Sequence, residues 1–130
     1  MTLTASVKDL ADAGVSIWYD DLTRSLIRDG GLAGLMDRGV VGVTTNPTIF
    51  AAALGSGEAY DAQVRELAAA GADVDEAVFA ITTDDVRDAC DVLRPVFDRT
   101  GGVDGRVSIA VDPRLAKDTS GTVEMARRLW

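Results

Sequence analysis

Histidine is missing altogether from this chain of 130 residues, and cysteine occurs once, as Cys90. Without those two residue types no zinc or transition-metal ligand set of the usual kind can be assembled and no internal disulfide can form; only scattered carboxylates remain. No metal or other cofactor is therefore expected. Cys90 falls among apolar positions of a helical pattern, which predicts a buried structural thiol rather than a nucleophile. Basic residues are sparse and dispersed: 13 against 21 acidic ones, for a net charge of −8, with no run longer than Arg127-Arg128. Nucleic acid and anionic membrane surfaces are polyanions, so a chain with a pI near 4.4 is not expected to take either as a partner. No stretch approaches the roughly 18 apolar residues of a membrane span, and the amino terminus has neither the basic flank nor the apolar core of a signal peptide. A cytoplasmic protein is expected. Glycines cluster at Gly30-Gly31 and Gly55-Ser56-Gly57, and neither cluster matches a nucleotide-binding phosphate loop.

The most informative stretch runs from Val40 to Phe50, where the apolar run Val40-Val41-Gly42-Val43 stops at Thr44-Thr45-Asn46-Pro47. The run predicts a buried strand, and Pro47 pre-sets the first turn of a helix. Thr44, Thr45 and Asn46 then stand at the carboxyl end of a strand, where parallel α/β folds gather their ligand-binding groups. An ordinary N-cap role for Asn46 fits the same pattern.

Two further segments share that design. Ser16-Ile17-Trp18-Tyr19 runs into Asp20-Asp21, and Arg106-Val107-Ser108-Ile109-Ala110-Val111 runs into Asp112-Pro113-Arg114. With Thr-Thr-Asn-Pro between them, and with Asp61-Ala62-Gln63-Val64 and Asp84-Asp85-Val86-Arg87 further on, the order resembles the amino-terminal part of the transaldolase family, particularly its actinobacterial-type branch. The resemblance extends from about Ala11 to Trp130.

That resemblance implies a (β/α)8 barrel whose members move a dihydroxyacetone unit between sugar phosphates through a Schiff base on a lysine. It implies that Asp20 corresponds to the carboxylate active in proton transfer, that Asn46 contacts the sugar, and that Thr45 belongs to the surrounding hydrogen-bond network. Hydroxyl and amide groups suit a polyhydroxylated substrate, so a sugar phosphate or another polar metabolite is the expected partner. Two departures stand against ordinary activity. The lysines are Lys8 and Lys117, one in a leading helix-like stretch and one in a polar connection, and neither matches the family's strand-borne nucleophile. The third segment carries Ala110 where the family pattern Ser-x-Glu-Val-Asp has its glutamate. A methyl group neither accepts a proton nor orients water, and general acid–base assistance is worth about 10²- to 10⁴-fold. Asp112 before Pro113 reads as a turn or cap, and Arg114 as its ion-pair partner or that of a nearby carboxylate.

Between the strands the pattern is helical. Helices are expected from Val7 to Ala13, Leu22 to Arg28 with Asp21 as its cap, Leu32 to Arg38, Pro47 to Leu54, Tyr60 to Ala70 and Asp75 to Ala80. A separate longer helix opens at Thr82, whose spacing to Asp85 is that of a capping box. Its apolar face would be Val86, Ala89 or Cys90, Leu93 and Phe97; Asp84 and Asp85 would compensate its dipole, and Pro95 would kink or shorten it.

The expected architecture is thus one α/β domain over residues 1–130, a partial (β/α)8 barrel of about three parallel strands. A full barrel takes about 250 residues, and three strands cannot close one. Exposed edges and helix faces favour a homo-oligomer or a complementing chain. Three functions remain open: the amino-terminal piece of a transaldolase that needs the rest of its barrel, a repurposed half barrel using Asp20, Thr45 and Asn46 without a Schiff base, or a non-catalytic binding or scaffold protein.

Overall fold

Three short parallel strands in the order β1-β2-β3 organise the computed structural model, which describes residues 3–45, 55 and 58–130. Helix α1 (Leu3–Asp12) precedes β1 (Trp18–Tyr19); α2 (Arg24–Arg28) and α3 (Gly31–Asp37) lead to the central β2 (Gly42–Thr44). A 3-10 turn (Glu58–Tyr60), α4 (Asp61–Ala69) and the long α5 (Val74–Arg99) connect β2 to β3 (Arg106–Ser108). A second 3-10 turn (Pro113–Leu115) and α6 (Thr119–Leu129) follow. This is a partial α/β fold, consistent with the amino-terminal part of a (β/α)8 barrel. No helix among the described residues is long and apolar enough to cross a membrane.

The pairing register sorts the sheet into two faces. Tyr19 pairs with Val43 and Val43 with Val107, while Trp18 pairs with Gly42 and Gly42 with Arg106. Successive strand residues point to opposite sides, and the row holding Val43 packs against Leu32, Ala89, Leu93 and Val96 of α3 and α5. Side chains such as Leu32, Val43 and Leu93 are fully buried, each worth roughly 1.5–3 kcal/mol. The row holding Trp18 faces the other way. Its indole lies against the backbone of Gly42, where a Cβ would stand 2.6 Å from Trp18 Cδ2, so glycine is the residue that admits the ring.

Several expectations are corrected here. The strands are shorter than their apolar runs, although main-chain bonds from Val41 N to Ile17 O (2.9 Å) and from Gly105 N to Val41 O (2.7 Å) continue the ladder below them. Helix α2 is capped by Thr23, whose hydroxyl accepts from Leu26 N at 3.2 Å, rather than by Asp21. The two helices expected around Asp75 and Thr82 are one, α5, opened by a capping box between Asp73 and Glu76. Thr82 is interior to it and its hydroxyl bonds back to Val78 O. Asp84 and Asp85 are therefore mid-helix, far from the dipole end. The buried stripe is Ile81, Asp85, Ala89, Leu93 and Val96, which leaves Cys90 exposed rather than buried. Its thiol is pushed up by the partial burial it has and by the Asp91 charge, the direction of a less reactive sulfur. Pro95 does not end the helix, which continues to Arg99, because Leu93 and Val96 on either side of it are anchored in the core.

Candidate functional site

The strand carboxyl ends meet through three polar contacts. Asp20, the exposed residue immediately after β1, accepts a hydrogen bond on Oδ1 from the Thr44 hydroxyl. Thr45, just past β2, donates its main-chain N–H to Ser108 O at 3.1 Å. Its hydroxyl oxygen accepts from Ala110 N at 3.3 Å. The structure thus brings Asp20, Thr44, Thr45 and Ala110 into one row across the mouth of the sheet. Asn46 lies outside the described residues, as does the helix expected from Pro47 to Leu54.

A cavity of about 690 Å³ opens beside this row, between α5, the turn after β3 and α6; Thr45, Ala110, Phe79, Thr83, Met125 and Arg128 are among its lining residues. The Arg128 guanidinium stands 4.5 Å from the centre of the Phe79 ring. On the rim, Asp112 caps the second 3-10 turn by accepting from Arg114 N at 2.8 Å. The Arg114 side chain bonds Asp112 (2.5 Å) and Asp75 (2.9 Å), tying this turn to the start of α5. Those bonds hold the Asp112 carboxyl below its ordinary value and raise that of Arg114. Both residues act as the turn and ion pair that the sequence suggests. Lys8 is on α1, paired with Asp12 at 2.5 Å, and Lys117 is exposed in the turn before α6. Neither is at a strand end.

Behind the mouth, a buried polar network joins α2 to α4 and α5. Arg24 Nε donates to Asp85 Oδ1 at 2.7 Å, and Tyr60 Oη donates to Asp85 Oδ2 at 2.8 Å while accepting the main-chain N–H of Arg24 at 3.0 Å. Arg24 Nη2 reaches Gln63 Oε1 at 2.6 Å, and Gln63 Nε2 reaches Asp84 at 2.6 Å. The guanidinium also stacks 4.4 Å from the Tyr60 ring centre. Arg24 is 4% exposed and Asp85 fully buried; a buried charge pair is tolerated when its remaining donors and acceptors are satisfied.

The model of the family described as Transaldolase/Fructose-6-phosphate aldolase matches residues 17–130. The chain belongs to that family. Among its relatives it is 62% identical over 128 residues to a transaldolase of Kocuria rhizophila, a match that covers 98% of this chain and 35% of the relative. It is 57% identical over 129 residues to a transaldolase of a Parafrankia species, covering 98% and 35%, and 59% identical over 125 residues to that of Thermobifida fusca, covering 95% and 34%. The chain therefore spans about a third of the length of the curated relatives it matches. In these transaldolase relatives it corresponds to the amino-terminal part.

Within this transaldolase-family unit, sequence reasoning put Thr44 at the strand mouth but missed its bond to Asp20, and it missed the Arg24–Tyr60–Asp85 network. Two signals pointed to the network. Arginine in the first turn of a helix opposes the dipole and so needs a carboxylate, and Asp85 falls at four-residue spacing with Ile81, Ala89 and Leu93, on the apolar stripe.

Proposed function

We propose that this chain forms the first three strand–helix units of a transaldolase-type barrel, packed as one unit over residues 1–130, and supplies one wall of a sugar-phosphate site without itself forming the Schiff base. The observation that carries this reading is the row from Asp20 to Ala110 at the strand ends, with Lys8 and Lys117 both away from it. On this wall the Asp20 carboxylate, held by Thr44, is the group available to exchange a proton with a substrate hydroxyl. Thr45 and Asn46 supply hydrogen-bonding groups for the sugar. Ala110 stands where the family resemblance calls for glutamate, so the wall offers one carboxylate instead of two. The nucleophile has to come from a complementing part of the barrel.

The test mixes this chain with a polypeptide spanning the remaining two thirds of the Kocuria rhizophila relative, adds fructose 6-phosphate and borohydride, and reads intact masses. A sugar adduct on the complementing polypeptide, formed only when both are present, is expected. A stoichiometric adduct on this chain that disappears on changing Lys8 or Lys117 overturns the proposal. So does an adduct on the complementing polypeptide that forms equally well without this chain.

Ala110 also favours a second reading, a half barrel repurposed for chemistry without a Schiff base, in which Asp20, Thr45 and Asn46 bind a different polar metabolite. Ligand binding by the chain alone, weakened by Asp20→Asn and Asn46→Ala, would select it.

A further inference from the structure

We propose that Arg24, Tyr60 and Asp85 are positioning residues for Asp20. The inference rests on the assignment of Asp20 to the site made above. Residues 20–23 form an irregular turn between β1 and α2, so nothing in their own backbone pairing fixes the direction of the Asp20 carboxylate. Leu22, 3% exposed, anchors the middle of this segment in the core, and polar bonds hold it at both ends. At its start, the Thr44 hydroxyl binds the carboxylate. At its end, the network grips the main chain itself: the N–H of Arg24, the residue that opens α2, is bonded to Tyr60 Oη.

That grip is stiff for a physical reason. Tyr60 Oη is oriented by its own bond to Asp85, Asp85 is charge-paired with Arg24, and the guanidinium is braced by Gln63 and stacked on the Tyr60 ring. Charge-assisted bonds are short and directional. In a buried network each bond constrains the next. Among the described residues no buried side-chain nitrogen or oxygen lacks a partner, so rotating α2 would break bonds that nothing nearby replaces. Its members come from positions 24, 60 and 85; an ordinary core contact would have served to pack the helices, whereas a bond to the Arg24 main chain also fixes where the turn ends.

Carbon-detected magnetic resonance of the Asp20 carboxyl at fixed pH tests this without relying on turnover. Thr44→Val, which deletes the bond to Asp20, sets the scale of the displacement. Tyr60→Phe is expected to reproduce at least about half of that displacement. Gly101→Ala, which strains the left-handed turn after α5 where nothing lies within 4 Å of an added Cβ, perturbs stability away from the network and is expected to leave the Asp20 signal in place. If Tyr60→Phe does not fold, Gln63→Ala, at a partly exposed member, is expected to give a smaller displacement in the same direction. An Asp20 signal unchanged in whichever variant folds, or displaced as far in Gly101→Ala, overturns the proposal. A failed sugar-trapping experiment would reject the site assignment while leaving this measurement standing.

Discussion

Tyr60 donates its hydroxyl hydrogen to Asp85 Oδ2 across 2.8 Å, joining the turn before α4 to the buried middle of α5. Burial first, and then the Asp85 carboxylate, push the Tyr60 phenol up to about 12. The folded chain therefore holds that proton more tightly than the unfolded chain, in which a tyrosine titrates near pH 10. The linked stability, on the order of 2–3 kcal/mol, is fully present below about pH 10 and is lost as pH rises through about 12. Thermal melts of the native chain and of Tyr60→Phe should differ most near neutrality and converge across that alkaline window. A gap that stays constant to pH 12 would show that the phenol proton contributes nothing.

Gly105 and Gly101 make a matched pair for backbone strain. Both have positive φ, +75° and +63°. A Cβ at Gly105 would fall on the Phe97 main-chain nitrogen and 2.7 Å from its Cα, whereas at Gly101 nothing lies within 4 Å. Gly101→Ala should cost only the left-handed penalty of about 1–2 kcal/mol. Gly105→Ala should cost more than about 4 kcal/mol, because backbone must move and the bond from Gly105 N to Val41 O is put at risk. Chemical denaturation of the two variants decides it.

Placing glutamate at position 110 tests the proposed role of Ala110 separately from that of the lysines. Ala110→Glu in this chain alone should produce no transaldolase turnover, since a proton-transfer group has no covalent intermediate to serve. In the presence of the complementing polypeptide, the same change should raise turnover by about 10²- to 10⁴-fold. A coupled assay for glyceraldehyde 3-phosphate release reads both arms.

Self-association is the expected solution behaviour of the chain by itself. Strands β1 and β3 each pair only with β2 among the described residues, and the face that carries Trp18 lies opposite the core, with Trp18 38% exposed; Val15, in the loop before β1, is 45% exposed. Free edges and bare apolar surface recruit partners. Light scattering should show the mass rising with concentration and falling when the complementing polypeptide is added. A monomer at every concentration would argue that the open sheet is covered from within the chain.

What could be read from the sequence was local. A run of valines ending at Thr-Thr-Asn-Pro announces a strand and its mouth, and parallel strands necessarily put Asp20, Thr45 and Ala110 at one end of the sheet. The cap of Asp112 on Arg114 was equally readable, because its partners are two residues apart.

The errors were those of choosing between equivalent local signals. Asp73 with Glu76 and Thr82 with Asp85 have the same capping-box spacing, and each could begin a helix. Only packing selects the first, because Asp85 is drawn inward by Arg24 from 61 positions away. Once Asp85 occupies the buried stripe with Ala89 and Leu93, the helical period turns Cys90 outward, and the anchors at Leu93 and Val96 carry the helix past Pro95. Likewise the alternation of β2 gives Thr44, not its neighbour Thr45, the contact with Asp20.

The amino-acid order by itself determined the strand mouths, the family and the chemical groups offered there, since these depend on residues adjacent along the chain. The tertiary structure decided which carboxylate is buried, which hydroxyl orients Asp20 and which helix face meets the sheet. Those choices turn on pairings between residues tens of positions apart, whose free energy appears only when the elements are brought together.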